Sequence, residues 1–282
     1  FNSLLGKSYT EISALSRSMH KSQGFGASGI RNNILNYFMV LKGDSVNNDM
    51  FEGIDLSWNK VEGGDQIHSL ILKTINEFDD ENPSSSVDNL FQMYEKVLNL
   101  KDEYWKQVKL KEITELIRSC AGIWIEAISD NEFVSIDDTL NVKTSIVNRS
   151  NLEFVLNKID LNYLENSKQN SEPLKKGEIT SRNHKIYIPN LPIWTQPYWL
   201  QSQSTIGMYF IAEQELRGIP ELKPQLTCDF TVSYKDHLLQ LSTPIYYRIT
   251  DPVDGEIYKS VVITPSLTVN IEKDIIFLDN LK

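Results

Sequence analysis

Arg17, His20 and Gln23 fall within seven residues, at the end of a helix-patterned stretch and just before the flexible run Gly24-Phe25-Gly26. An arginine in that setting can reach into a cleft toward an anion. A histidine can serve as acid or base near neutral pH. The competing reading is structural: cationic side chains complement the dipole at a helix C-terminus, and an ordinary loop follows. A second group, Trp194, Tyr198, Trp199 and Tyr209, is more aromatic than a loop needs. Such rings can stack on the faces of sugars, or they can plug the end of a β domain and pack on helices.

Nothing else in the chain has the spacing of a reactive site. The four histidines, His20, His68, His184 and His237, show no pairing at metal-ligand intervals, and Cys120 and Cys228 lie far apart and read as small core residues. Gly24-Phe25-Gly26-Ala27-Ser28-Gly29 lacks the Gly-Lys-Ser/Thr ending of a phosphate loop. Asp79-Asp80-Glu81 and Asp137-Asp138 sit beside turn signals and read as solvated loops. The expectation is a chain with no complete catalytic set, no metal site and no cofactor of its own.

These residues must be positioned by a chain of 282 residues, enough for two ordinary domains. A net charge of −10 argues against nucleic acid and against an anionic membrane surface as partners. No run approaches the ~20 apolar residues of a membrane helix. The chain opens at Phe1 without an initiator Met, so it reads as a piece of a longer protein.

Ser8 and Glu11 have capping-box spacing, and Tyr9, Ile12, Leu15 and Met19 share a face, predicting a helix over 8–19. The stretch Ile34–Leu41 is open between a strand and a buried helical turn. Apolar stripes predict helices over 65–79, 86–99 and 103–121, with short links that suit a hairpin or small bundle. After Gly122 the period falls to two. Alternation at 140–146, 152–156, 186–188, 226–232 and 245–249, and an apolar run at 261–263, give about seven short strands, the pattern of an antiparallel β-sandwich. The fold class expected is therefore α+β: a helical segment over 1–122, an immunoglobulin-like sandwich over 123–264, and at 265–282 a linker or the first strands of a further domain. Residues 189–224, rich in proline and aromatics, form a long excursion between strands, where function often resides.

Several segments carry a resemblance. Tyr9-Thr10-Glu11-Ile12 with Ser16-Arg17-Ser18-Met19-His20-Lys21-Ser22-Gln23-Gly24-Phe25-Gly26 resembles the stretch that follows the catalytic core in long, multidomain LmbE-like de-N-acetylases, relatives of the N-acetylglucosaminyl-phosphatidylinositol deacetylases. Phe51-Glu52-Gly53-Ile54, Pro197-Tyr198-Trp199-Leu200 and Asp251-Pro252-Val253-Asp254-Gly255-Glu256-Ile257-Tyr258 fit it too, so it spans nearly the whole chain. The strands after residue 139 are similar to immunoglobulin-like modules attached to bacterial carbohydrate-active enzymes. The family's His-Pro-Asp-Asp signature is absent here, so its zinc and its aspartate base map onto no residue of this chain. The resemblance implies a parent enzyme that hydrolyses an N-acetyl group by metal-activated water. It implies a periplasmic or extracellular location if that parent is secreted, and a non-catalytic role for this region, packed on its own catalytic domain. The alternative expectation is a carbohydrate-binding module built on Trp194 and Trp199.

Overall fold

A computed structural model describes residues 1–55, 57–163, 171–190, 194–222 and 224–269. The chain divides into two compact units, Phe1–Asp55 and Leu56–Lys282.

In the first unit α1 runs Tyr9–Ser18, and the predicted capping box is present: the Ser8 hydroxyl accepts from the Glu11 N–H while the Glu11 carboxylate accepts from the Ser8 N–H at 2.9 Å. The glycine-rich loop has a packing role. It returns along α1, where the Ser8 hydroxyl donates to the Ile30 carbonyl at 2.9 Å and the Ala27 N–H donates to Ser18 Oγ at 3.1 Å. A side chain at Gly29 would place its Cβ 2.6 Å from Glu11 Cα, so only glycine allows this approach. Ile34–Leu41 is neither helix nor strand, and Leu35, Tyr37, Phe38, Met39 and Leu41 are exposed.

The second unit begins with three helices, α2 (Gly64–Glu77), α3 (Val87–Leu98) and α4 (Glu103–Cys120), close to the expected spans. Asp102 caps α4 by accepting from the Trp105 N–H at 3.1 Å, and Gly122, at φ 63°, ends it in the left-handed conformation. The serine run before α3 supplies no side-chain cap; the helix grows instead out of a 3-10 turn at Pro83–Ser86. The middle helix, α3, packs against both neighbours and buries Val87, Leu90, Phe91, Met93 and Val97.

Among the described residues ten strands follow: β1 (Ile123–Ser129), β2 (Phe133–Ser135), β3 (Thr139–Asn148), β4 (Phe154–Leu161), β5 (Glu172–Pro173), β6 (Ile179–Tyr187), β7 (Thr227–Tyr234), β8 (His237–Asp251), β9 (Gly255–Ser260) and β10 (Val262–Thr264). The α+β class holds, but the immunoglobulin-like sandwich does not. Instead of two facing antiparallel layers there is one curled, mixed eight-stranded half-barrel in the order β5-β4-β7-β8-β1-β3-β6, with β9 also on β8. The reason is β8. Its first half pairs with β7 and its second half with β9 and, in parallel, with β1 through Ala127↔Ile245 to Ser129↔Tyr247. A strand shared in this way hydrogen-bonds both groups into a single sheet. β10 and β2 form a separate parallel pair.

The core is continuous from helix to sheet. Phe91 and Ile117 from the helices join Phe154, Leu156, Phe230, Val232, Leu239, Ile245 and Ile146 in one buried cluster. Asn148, the last residue of β3, is also buried, and its amide donates to the Leu152 carbonyl at 2.7 Å and the Leu174 carbonyl at 3.2 Å. Residues 265–269 carry neither helix nor strand, and the rest of the expected linker or first strands of a further domain, 270–282, lies outside the described residues.

Candidate functional site

Arg17, His20 and Gln23 are brought together by the end of α1. Met19 is its C-cap, and a 3-10 turn over Lys21–Gln23 reverses the chain before Gly24, at φ 67°. The His20 Nδ1 and the Gln23 Oε1 are 3.1 Å apart. In the tautomer with Nδ1 protonated, the glutamine oxygen accepts that proton's hydrogen bond and Nε2 remains the basic nitrogen. Phe25 neighbours both side chains: the Arg17 guanidinium carbon lies 5.6 Å from its ring centroid, and the imidazole and phenyl centroids are 6.3 Å apart. This is a small polar and aromatic patch on the surface of the first unit, with no carboxylate orienting His20 among its described partners. It can bind an anion or relay a proton to a group that a partner presents.

The aromatic group 194–209 is dispersed in role. Trp194 and Tyr209 are exposed, with 38% and 59% of their surface accessible. Trp194 is held in place by its neighbour, since the Thr195 N–H donates to the Ile263 carbonyl of β10 at 2.8 Å and the Thr195 hydroxyl accepts from the Ile263 N–H at 3.0 Å. Tyr198 is buried and donates its phenol to the Ile219 carbonyl at 2.8 Å, while half-buried Trp199 meets it edge-on at 83°. A perpendicular pair with one buried member offers no flat platform, so a stacking role falls to Trp194 and Tyr209.

The sheet also brings together polar residues that the sequence reading left aside. His184 faces Thr144 across β6 and β3, with Nε2 and Oγ1 at 2.9 Å. Burial, and then the neighbouring Arg182 charge, push the His184 imidazole below its ordinary pKa, so it is held neutral. His237 stacks on Phe91 at 4.8 Å and 9°, with Nδ1 2.8 Å from Glu95. A side-chain network, Arg248 with Glu126 at 2.9 Å and Tyr258 with Glu126 and Glu256 at 3.0 Å, ties β1, β8 and β9. Strand pairing, and for His237 the packing of α3 on β8, creates these contacts, and the sequence carries no signal for which elements meet. Among the described residues no group of three or more His, Cys, Asp and Glu side chains is placed to hold a metal ion.

No family model matches the chain, and no curated protein matches it. Three solved structures show a slight likeness. The alkylpurine DNA glycosylase AlkC of Pseudomonas fluorescens, bound to DNA containing an abasic site analogue, gives a TM-score of 0.23 at 8% identity, over 57% of this chain and 46% of that one. The sporulation control protein Spo0M of Bacillus subtilis gives 0.23 at 8% identity, over 44% and 48%. The β-glucosidase EmGH1 of Erythrobacter marinus gives 0.18 at 11% identity, over 43% and 15%. The chain thus spans less than half the length of each, and likenesses of this size carry no statement about its function.

Proposed function

We propose that this chain is a non-catalytic accessory region that packs on, and presents, the catalytic domain of a metal-dependent LmbE-like N-deacetylase. The observation that carries the reading is the apolar face of α1. A helix normally buries such a stripe, yet here Tyr9, Leu15 and Met19 are exposed, and Leu35, Tyr37, Phe38 and Leu41 are exposed beside no covering strand or helix of their own unit. Apolar surface on that scale is what a docking face presents. The Arg17–His20–Gln23 patch lies at the end of the same helix, and the segment that resembles the exit from the deacetylase core runs through both. On this reading the metal and the hydrolytic step belong to the partner domain, and a secreted parent would place this region in the periplasm or outside the cell.

The test pairs the chain with a separately expressed LmbE-like deacetylase domain. The two are expected to co-elute, and the triple substitution Leu15→Ser, Leu35→Ser, Phe38→Ser to separate them. The chain alone is expected to retain no zinc and release no acetate from N-acetylated amino sugars. Stoichiometric zinc with turnover by the isolated chain would sink the reading. The second reading, a carbohydrate-binding module, is supported by exposed Trp194 and Tyr209; a glycan array with no signal from any sugar removes it.

A further inference from the structure

We propose that the cleft formed by α2, α3, α4 and the Trp58–Trp105 pair binds a long-chain fatty acid, its tail among the helices and its carboxylate at Lys60 and Lys109. Two adjoining cavities make the case. The larger, of about 380 Å³, is floored by Leu90, Met93 and Val97 of α3 and walled by Ile71 and Ile75 of α2 and Ile113 of α4. Its lining is mainly apolar, with Lys109 and Glu112 also on its wall, and its size lies near the lower end of small-ligand sites, ~300–1,000 Å³, which suits one aliphatic chain rather than two. The smaller, of about 150 Å³, is lined by Ser57, Trp58, Lys60, Val61, Trp105 and Lys109. Trp58 and Lys109 line both, so the apolar cavity and the cationic one adjoin at these two side chains.

The charge at that mouth is unbalanced. Lys60 and Lys109 both stand over the Trp105 ring, at 5.8 and 5.6 Å from its centroid. Lys109 has Glu112 at 2.7 Å, whereas no carboxylate lies within ion-pair distance of Lys60 among the described residues. Two cations against one carboxylate leave a positive charge beside an apolar slot, the complement of an anionic head on an alkyl tail. The mouth is also built in advance. Trp58 and Trp105 are in ring contact at 6.4 Å, and a Cβ at Gly64 would fall 2.2 Å from the Trp58 carbonyl oxygen, so the turn that bears Trp58 is pressed onto the start of α2. This site lies wholly within the second unit and does not depend on the accessory reading.

The experiment titrates the full chain with 9,10-dibromostearate below its critical micelle concentration and follows bromine quenching of tryptophan fluorescence. Quenching is expected to saturate at one equivalent, because Trp58 lines the tail channel. Thr74→Phe, which fills the channel, is expected to abolish it. Lys60→Glu, on the surface and harmless to folding, is expected to weaken the acid at least tenfold while leaving a brominated alcohol of the same chain length unchanged. Quenching that does not saturate, or that is unaltered in Lys60→Glu, overturns the proposal, as does wild-type quenching in a folded Thr74→Phe.

Discussion

Replacing Phe91 by alanine tests whether helices and half-barrel are one cooperative body. Its side chain is fully buried and stands in a column of rings, with His237 at 4.8 Å on one side and Tyr234 at 5.7 Å on the other. Phe154 continues the column beyond Tyr234 at 5.0 Å. The column therefore joins α3 to the tips of β7 and β8 and to β4. Truncating a buried Phe to Ala costs about 3–5 kcal/mol in lost transfer energy and residual cavity. Two stacked partners place this site at the upper end, since each aromatic pair adds ~0.5–1.5 kcal/mol beyond its area. At roughly 2–4 °C per kcal/mol for a unit of this size, the midpoint should fall by about 10–18 °C. Circular dichroism at 222 nm and in the near ultraviolet, on one heating ramp, reads helix and ring packing separately. Both signals of the second unit should move together. A fall below about 3 °C, or helical loss well before ring unpacking, would refute a shared core held at Phe91.

Asn148→Ala should cost about 1–3 kcal/mol in urea unfolding, because it removes the amide donor to the Leu174 carbonyl in a buried setting and leaves the Leu152 carbonyl with the Phe154 N–H alone. Ser8→Ala should lower the helicity of α1 by removing a cap that is worth about 1 kcal/mol, seen as faster amide exchange at Glu11. In the native chain neither thiol is disulfide-bonded, and burial raises the pKa of both, most strongly for Cys228; a maleimide should label Cys120 slowly and Cys228 only after denaturation. His184 is held neutral, its pKa lowered by burial and by Arg182, so the stability it contributes is present above the ordinary histidine value of ~6.5 and is lost as pH falls toward its folded value. His184→Gln should flatten that part of the acid limb in pH-dependent unfolding.

Local structure was legible in the sequence where one segment settles its own fate. The Ser8–Glu11 box, the stripe of α3 and the left-handed stop at Gly122 act within a turn of their own positions, and each is present. The sheet was legible strand by strand but not as a sheet. Pro244 reads as a strand breaker, yet it falls where β8 leaves β7, opposite the first residue of β7, so the strand runs through it. β1 hid because its run Ile123-Trp124-Ile125 follows a helix directly and is at least half-buried on both faces, which blurs the alternation. The expectation of two layers failed at these two strands. Of the candidate residues, Arg17, His20 and Gln23 were legible because they lie on one turn. The Trp58–Trp105 mouth was not, since only the packing of α2 and α4 on α3 brings those rings together.

The parallel junction of β1 with β8 has a kinetic consequence. The β7–β8 and β8–β9 hairpins close over a few residues, whereas Ala127 must find Ile245 about 120 residues away, and such distant pairing slows folding because loop-closure entropy is spent before the contact rewards it. The two hairpins should therefore form early around β8 and wait with its inner edge unpaired until β1, delivered by α4, adds to it. During that interval β8 is an open strand edge, and refolding at high protein concentration should lose material to aggregation in proportion to how long β1 takes to arrive.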